Sequence, residues 1–512
     1  MHILQDTKRL LVIVVATALL LPSRAQTGTS EAWSTNSTKR MEHQAEQPLE
    51  TTTKASTRIN LQPEETYQTI DGFGWMLNQG SAKLLMQLPA DTRRALLEEL
   101  YGVNGLNASM VRVAIGACDL SESDYTYADT KDETLSSFAI APQDLNSVIP
   151  VLQEILAINP AVKVLATPWT APVWMKENTA GNSGYRGGTL KSTYYSLYAD
   201  YFCKYIEAMA EKDIPIWGVS IQNEPLNGSN NPSMTWTKEA MYSFVAGKLG
   251  PKLVESGHGD VRIIAYDHNC DVTDFPIHVA KSKYVYGTAF HLYAGDISAL
   301  STVYNTSGKP VLFTEQYTDK DGDFSGDLNW HMQNVVLGSL SNWSTTVMEW
   351  NLASDPNYSI HTDGGCTSCK GALTIQNNSL SSRNVSYYII GHASRVIDPE
   401  AVRIRATSSA SGLAYVAAAN PDGSIGVVAY NSSSQGYLLA IAIPDGNGKN
   451  IFANHTVPAK GVLSVRIRMA NPQESIESPT PEDQRLTTKL IRNNQFVIYH
   501  NGQCYNVLGR KL

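Results

Sequence analysis

The sequence predicts an α/β fold, a (β/α)8 TIM barrel with an attached all-β sandwich side domain. Three observations carry that expectation. Eight short, β-rich apolar runs, at residues 70–75, 110–115, 162–167, 216–222, 261–265, 286–291, 311–315 and 345–350, alternate with segments of helical periodicity such as 145–158, 194–210 and 239–249. No glycine-rich phosphate loop follows the first run, so an open dinucleotide-binding sheet is disfavoured. From about residue 401 the helical pattern stops. Runs at 402–405, 413–419, 425–430, 438–443 and 462–467 then alternate with turns such as Pro421-Asp422-Gly423, which reads as a small β-sandwich.

The flanking segments read differently. Lys8 and Arg9 precede an apolar run over residues 10–21, and Ser23-Arg24-Ala25 supplies small residues at a cleavage site. That order is a secretory signal peptide, and the run is shorter than the roughly 20 residues that span a bilayer. Residues 1–25 are therefore expected to be removed on export to the cell surface, periplasm or medium, with no transmembrane segment left. Residues 26–55, rich in Ser, Thr, Glu and Gln, read as a flexible linker. Residues 56–66 should lend a strand to the side domain, centred on 58–61. The barrel is expected over 67–396, the sandwich over 397–470, a Pro- and Glu-rich linker over 471–488 and a tail over 489–512. Asn501-Gly502 in that tail is a two-residue hairpin signal. The tail resembles the C-terminal sorting signals of type IX secretion systems, which would make that machinery a partner; a decorative hairpin is the alternative.

Composition narrows the function. With 48 acidic against 40 basic side chains the net charge is −8, which argues against nucleic-acid binding through a basic surface. Six cysteines are too few for a disulfide scaffold. Cys366-Thr-Ser-Cys369 has no second ligand pair for zinc and lies in a Gly-rich loop rather than at a strand-to-helix turn, so a local disulfide between Cys366 and Cys369 is the favoured reading. Tyr (25) and Trp (9) outweigh Phe (10), a balance that suits wet grooves.

In a (β/α)8 barrel the active site collects at the C-terminal strand ends. The fourth run ends in Gln222-Asn223-Glu224-Pro225 and the seventh in Phe313-Thr314-Glu315-Gln316. Two carboxylates facing each other across a barrel mouth are what glycoside hydrolysis needs, one protonated at the leaving oxygen and one ionised at the anomeric carbon. Arg112 could keep a neighbouring carboxylate ionised, and Asp119 could accept bonds from sugar hydroxyls. Trp169, Trp174 and Trp350 offer flat apolar faces, and His291 and Tyr293 leave the sixth strand. This chemistry requires no metal or organic cofactor.

These residues fall within motifs that resemble glycoside hydrolase family 30, the family of acid β-glucosylceramidase and microbial β-1,6-glucanases. The motifs are Asp71-Gly72-Phe73-Gly74, the run from Met110 through Arg112 to Asp119, Ala166-Thr-Pro-Trp169-Thr-Ala-Pro-Val-Trp174-Met-Lys176, Gln222-Asn223-Glu224-Pro225, His291-Leu-Tyr293, Thr314-Glu315, Glu349-Trp350-Asn351-Leu352-Ala353 and Tyr388-Ile-Ile-Gly391-His392. The resemblance implies retaining hydrolysis of β-glucosidic bonds, with Glu224 as acid/base and Glu315 as nucleophile. It places Asn223 on the sugar 2-hydroxyl and Asp119, Trp169 and Trp350 around the glucose. Two expectations follow for the carboxyl groups: a separation of about 5–5.5 Å, and a Glu224 pKa raised by the charge of Glu315. The substrate is a β-glucan, an oligosaccharide or a glycolipid. Departures from the lipid hydrolase at Trp75–Ser81, at Gln316-Tyr317-Thr318 and in the polar loop Asp319–Asp327 favour β-1,6-glucan over glucosylceramide. A broader β-glucosidase or β-xylosidase is the enzymatic alternative, and an inactive carbohydrate-binding protein the non-enzymatic one.

Overall fold

Strand alternation, in which residues i and i+2 face the same side, arranges the interior of the barrel. The computed structural model describes residues 28–181, 183–470, 487–492, 495–500 and 503–506. The eight runs form strands Gly72–Met76, Met110–Ala114, Lys163–Thr167, Ile216–Ser220, Arg262–Cys270, Val285–Gly295, Val311–Glu315 and Ser344–Asn351. They pair in parallel in chain order, and the eighth closes on the first, with Thr346 opposite Gly72. Met110, Leu165, Ile264, Ala289, Leu312 and Met348 make one buried apolar layer. Two residues further along the same strands stand Arg112, Thr167, His291, Thr314 and Trp350, all buried. The polar layer is thus the next rung of the same ladder.

The fifth strand reaches that rung one residue later, at Asp267. Tyr266 and Asp267 adopt φ of 72° and 60°, and the register to the sixth strand slips between Tyr266 and His268. This bulge turns Asp267 inward. Gly74 answers a different constraint: a Cβ there would lie 1.8 Å from the Met110 carbonyl oxygen, so only glycine lets the first two strands meet.

The helices pack around this cylinder. Val148–Ile158 buries Val148, Ile149, Val151, Leu152 and Ile155, and the expected start at 145 is instead the short turn Pro142–Leu145. The third helical segment is α-helical over Lys238–Phe244 and widens to a π turn over Val245–Leu249. Helix Tyr195–Ala210 changes the meaning of the tyrosine excess. Tyr198, Tyr201 and Tyr205 are buried beside Tyr127, and the hydroxyls of Tyr125 and Tyr127 donate to Asp144 at 2.8 and 2.7 Å. Several of these rings therefore build core around a buried carboxylate rather than line a groove.

The side domain is a nine-stranded sheet in the order Glu42–Pro48, Gly28–Thr35, Gly461–Met469, Ile425–Asn431, Leu413–Ala419, Val402–Thr407, Thr57–Thr69, Tyr437–Pro444 and Asn450–Val457. Its two outer strands approach each other. Glu50 and Phe452 exchange backbone hydrogen bonds, and the Gln44 amide brackets the backbone of Thr456. The sheet so folds over Ile59, Leu61, Val427, Ile441, Leu463 and Ile467 as a sandwich.

Two strands of this sheet overturn the expected linker at 26–55. Gly28–Thr35 and Glu42–Pro48 pair antiparallel, with Trp33 opposite His43. Composition misled here because the inward positions are small and polar rather than aliphatic. Ser30 meets the His455 ring at 3.0 Å and the Thr35 hydroxyl meets His392 Nε2 at 2.8 Å, while Trp33 lies under the Arg395 guanidinium. Hydrogen bonds to buried partners hold a strand that apolar burial alone would not. The strand Asn450–Val457 was also absent from the sequence reading.

Helix Val385–Ser394, buried throughout, joins the two layers: Ser386 accepts from the Trp75 indole at 3.1 Å and His392 Nδ1 meets Ser464 at 2.7 Å. In the tail, Thr487–Arg492, Gln495–His500 and Gln503–Asn506 form an antiparallel sheet of their own, with His500 opposite Gln503. The expected signal peptide at 1–25, residues 471–486 of the expected linker and the Asn501-Gly502 pair lie outside the described residues. Among those described, no helix is long and apolar enough to cross a membrane.

Candidate active site

At the C-terminal mouth of the barrel, a cavity of about 560 Å³ is lined by residues from seven of the strand exits and loops, among them Asp119, Trp169, Asn223, Glu224, His268, Tyr293, Glu315 and Trp350. Arg112, wholly buried on the second strand, is the hub beneath it. Its guanidinium donates to Glu315 Oε2, to Asn223 Oδ1 at 2.7 Å and to Asp267 Oδ2 at 2.9 Å. A buried cation between two carboxylates is tolerable only when paired, and here every carboxylate it faces is hydrogen-bonded again. Asp267 also accepts from Thr314 at 2.6 Å. The Tyr293 hydroxyl donates to Glu315 Oε1 at 3.0 Å.

Glu224 stands opposite. Its φ of 47° puts a non-glycine residue in the left-handed region, held there by a backbone bond to the Asp267 carbonyl at 3.0 Å and by the Asn223 amide bonding to Pro168 O at 2.9 Å. Asn227 donates to its Oε2 at 2.8 Å. His291 Nδ1 lies between the two glutamates, 3.2 Å from Glu224 Oε1 and 3.6 Å from Glu315 Oε1, while its Nε2 lies 3.2 Å from Asp267 Oδ1. An oxygen of Glu224, His291 and an oxygen of Glu315 all fall within 4.8 Å of one another. This trio is also the one group among the described residues whose donor atoms could converge on a cation; Arg112, Asn227, Tyr293 and Asp267 already occupy much of its bonding capacity.

The charges differ from the expectation for Glu224. Burial alone would raise its pKa, but the hydrogen bond and charge of His291 outweigh that and hold it down at about 2. His291 in turn is pushed up to about 9: burial opposes its charge, and Glu315, Asp267 and Glu224 more than offset it. Burial pushes Glu315 up, against the pull of His291 and Arg112. The sequence reading weighed only Glu315 beside Glu224 and could not see an imidazole between them. The contact between Glu224 and His291 favours the ionised carboxylate and the protonated ring together.

Around this centre, Trp169 and Trp350 tilt against each other with centroids 5.6 Å apart, and the Arg112 guanidinium lies 5.0 Å from the Trp169 ring. Asp119 is buried with Oδ1 unpartnered, and burial together with the Glu315 charge raises it to about 8. Cys366 and Cys369 are disulfide-bonded and line the same cavity. Their loop is tied to the strand-two exit by Thr362, whose amide bonds the Asp119 carbonyl at 3.0 Å.

The structure brings Glu224, Glu315, Arg112, Asp119, Trp169, Asn223, His291, Tyr293 and Trp350 to one site. Trp174 is not among the cavity residues: its indole donates to Ala128 O at 2.7 Å and packs on Tyr194. Sequence reasoning missed Asp267, His268, Asn269 and Asn227. The run Tyr266-Asp267-His268-Asn269 directly after the fifth apolar segment is the signal that could have found three of them.

A parallel eight-stranded barrel whose mouth carries paired carboxylates and facing indoles defines a glycoside hydrolase. The comparisons agree. Residues 70–397 match the glycosyl hydrolase family 30 TIM-barrel domain and residues 400–465 the family's β-sandwich domain. The chain belongs to glycosyl hydrolase family 30. It is 32% identical over 407 residues to an endo-1,6-β-D-glucanase of Aspergillus fumigatus, covering 74% of this chain and 82% of that one. It is 28% identical over 411 residues to the lysosomal acid glucosylceramidase of Mus musculus, covering 76% and 79%. A solved endo-β1,6-glucanase superposes with a TM-score of 0.79 at 34% identity, over 85% of this chain and 99% of that one.

Proposed function

We propose that the protein is a retaining endo-β-1,6-glucanase in which Glu224 is the acid/base and Glu315 the nucleophile. The observation that carries the reading is the closeness of the two carboxylates, with an oxygen of each within 4.8 Å of the other, which fits the short spacing of retaining glycosidases rather than the wider gap of inverting ones. Glu315 accepts bonds from Arg112 and Tyr293, which favour its ionised form for attack on the anomeric carbon. Asp267 fixes the Nε2–H of His291, so Nδ1 is the atom that trades a proton with Glu224. Substrate entry excludes water and disfavours the charged form of that pair, which puts the proton on Glu224 for delivery to the glycosidic oxygen. As the bond breaks, Glu315 forms the glycosyl-enzyme. Glu224, now a base, activates the water that releases the sugar with retained configuration. Asn223, fixed by Arg112, binds the 2-hydroxyl; Asp119, Trp169 and Trp350 hold the glucose.

The linkage rests on the named activity of the relatives and on the cavity's outer wall of Asn227, Asn230, Asn269 and Tyr317, which suits a sugar better than a ceramide. Export after removal of residues 1–25, with the 489–512 tail read by type IX secretion machinery, belongs to the same proposal and rests on the sequence patterns alone. Product analysis on β-1,6-glucan, gentiobiose, glucosylceramide and β-xylan side by side tests the activity. Release of gentio-oligosaccharides is expected; glucose from glucosylceramide without glucan cleavage would overturn it.

A further inference from the structure

The cavity has two walls. Asp119, Trp169 and Trp350, with the Cys366–Cys369 bridge, come from the exits of strands two, three and eight; Leu226, Asn227 and Asn230 follow strand four, and His268 and Asn269 lie at the C-terminal end of strand five. If the glucose whose anomeric carbon meets Glu315 lies on the first wall, whatever departs through Glu224 lies against the second. His268 is the unexplained residue of that wall. It is nearly buried, its Nδ1 is 3.9 Å from Glu224 Oε1 and has no hydrogen-bond partner, and neither ring nitrogen bonds another described residue. Beside it, Asn269 spends its carbonyl on the Tyr293 amide at 3.0 Å, and Asn230 spends its own on the Asn231 amide at 3.0 Å. Both side-chain NH2 groups are left over among the described residues.

We propose that His268 binds the departing sugar, one ring nitrogen hydrogen-bonding a hydroxyl of the leaving-side glucose, with Asn269 and Asn230 as flanking donors. A neutral imidazole offers one donor and one acceptor, and a sugar hydroxyl both gives and takes. An acyl-chain or sphingoid leaving group would leave the ring unpaired in a buried site, which is costly. The inference rests on the reading that the leaving group is a sugar. It names the residue that recognises it.

The test compares kcat/KM of the full chain and of His268→Ala, His268→Gln and Asn269→Ala on gentio-oligosaccharides and on 4-nitrophenyl β-glucoside, whose leaving group has no sugar hydroxyls. His268→Ala is expected to lose about tenfold more on the oligosaccharide than on the aryl glucoside, the worth of one hydrogen bond, chiefly through KM. His268→Gln should recover part of that ratio, and Asn269→Ala should show a smaller loss of the same kind. If His268→Ala does not fold, the other two variants supply the ratio. Equal losses on both substrates, with a shifted pH profile, would mark a residue acting through Glu224 and overturn the proposal; so would no loss on either. A wild type that cleaves some other glucosyl disaccharide overturns only the linkage, and the ratio measured on that disaccharide still tests His268. A wild type that accepts lipid glucosides and no disaccharide overturns both.

Discussion

The two walls of the cleft are built from different materials. One presents the Trp169 and Trp350 rings and the Asp119 carboxyl, all buried and braced from behind by Arg112 and the disulfide loop. The other presents short amide side chains and an imidazole on the segment after strand four and the last residues of strand five, with Leu226 44% exposed. Rings that fit one sugar face, held against a buried guanidinium, make a wall with one occupant. Short amides with unspent donors make a wall whose occupant can change by exchange of a few residues. Under this account the first wall serves every β-glucoside, and the second decides which bond is cut.

That division can be broken by variants, the most severe first. Glu315→Gln should cost at least about a thousandfold in kcat on glucan and aryl glucoside alike, since it removes the nucleophile itself. Glu315→Gly with azide should yield a glucosyl azide of inverted configuration by chromatography and NMR; unimpaired turnover in either variant would refute the role. Arg112→Met comes next. It removes the guanidinium that pairs with both Asp267 and Glu315, and breaking such a buried pair costs about 3–5 kcal/mol of stability, readable in denaturant unfolding. A loss under about 1 kcal/mol would mean that the hub is not what holds the polar layer.

Asp119→Ala should lower kcat/KM by about tenfold to a hundredfold, the range for a hydrogen bond to an ionisable group, and by the same factor on glucan and aryl glucoside. A glucan-selective loss would mean that the walls are misassigned. The smallest effect is in the pH profile. Asp119 is raised to about 8 and so is neutral below that pH and charged above it; His291 is raised to about 9, so above that the His291–Glu224 pair has no proton to give. On the acid side Glu315 must lose its proton. kcat/KM for an aryl β-glucoside should therefore climb from acid pH and fall between pH 8 and 9, and Asp119→Asn should leave only the upper step. A plateau extending past pH 10 would contradict the shared proton.

Much of the catalytic centre was legible because the apolar runs could be placed as barrel strands and their exits read in order. Arg112, Glu224 and Glu315 were found that way. Asp267 escaped because a bulge at Tyr266 delays the fifth strand by one residue, and a bulge leaves no pattern in a single sequence. His291 was placed at the site, but its effect on Glu224 was not, since that depends on a 3.2 Å contact between side chains 67 residues apart. The strands at 28–48 were hidden for a related reason: Ser30 and Thr35 are buried against partners more than 350 residues away in sequence, His455 and His392. Local composition records aliphatic burial and does not record a distant hydrogen bond.

The central claim is that Glu315 and Glu224, close enough to form and break a glycosyl-enzyme, act on a glucan seated across two unlike walls. Proton NMR of the anomeric signals during the first minutes of β-1,6-glucan digestion tests it most directly. The account predicts new reducing ends that appear first as the β-anomer, on gentio-oligosaccharides of several lengths. First appearance of the α-anomer, or no cleavage of β-1,6 bonds by a protein that hydrolyses other β-glucosides, would contradict it.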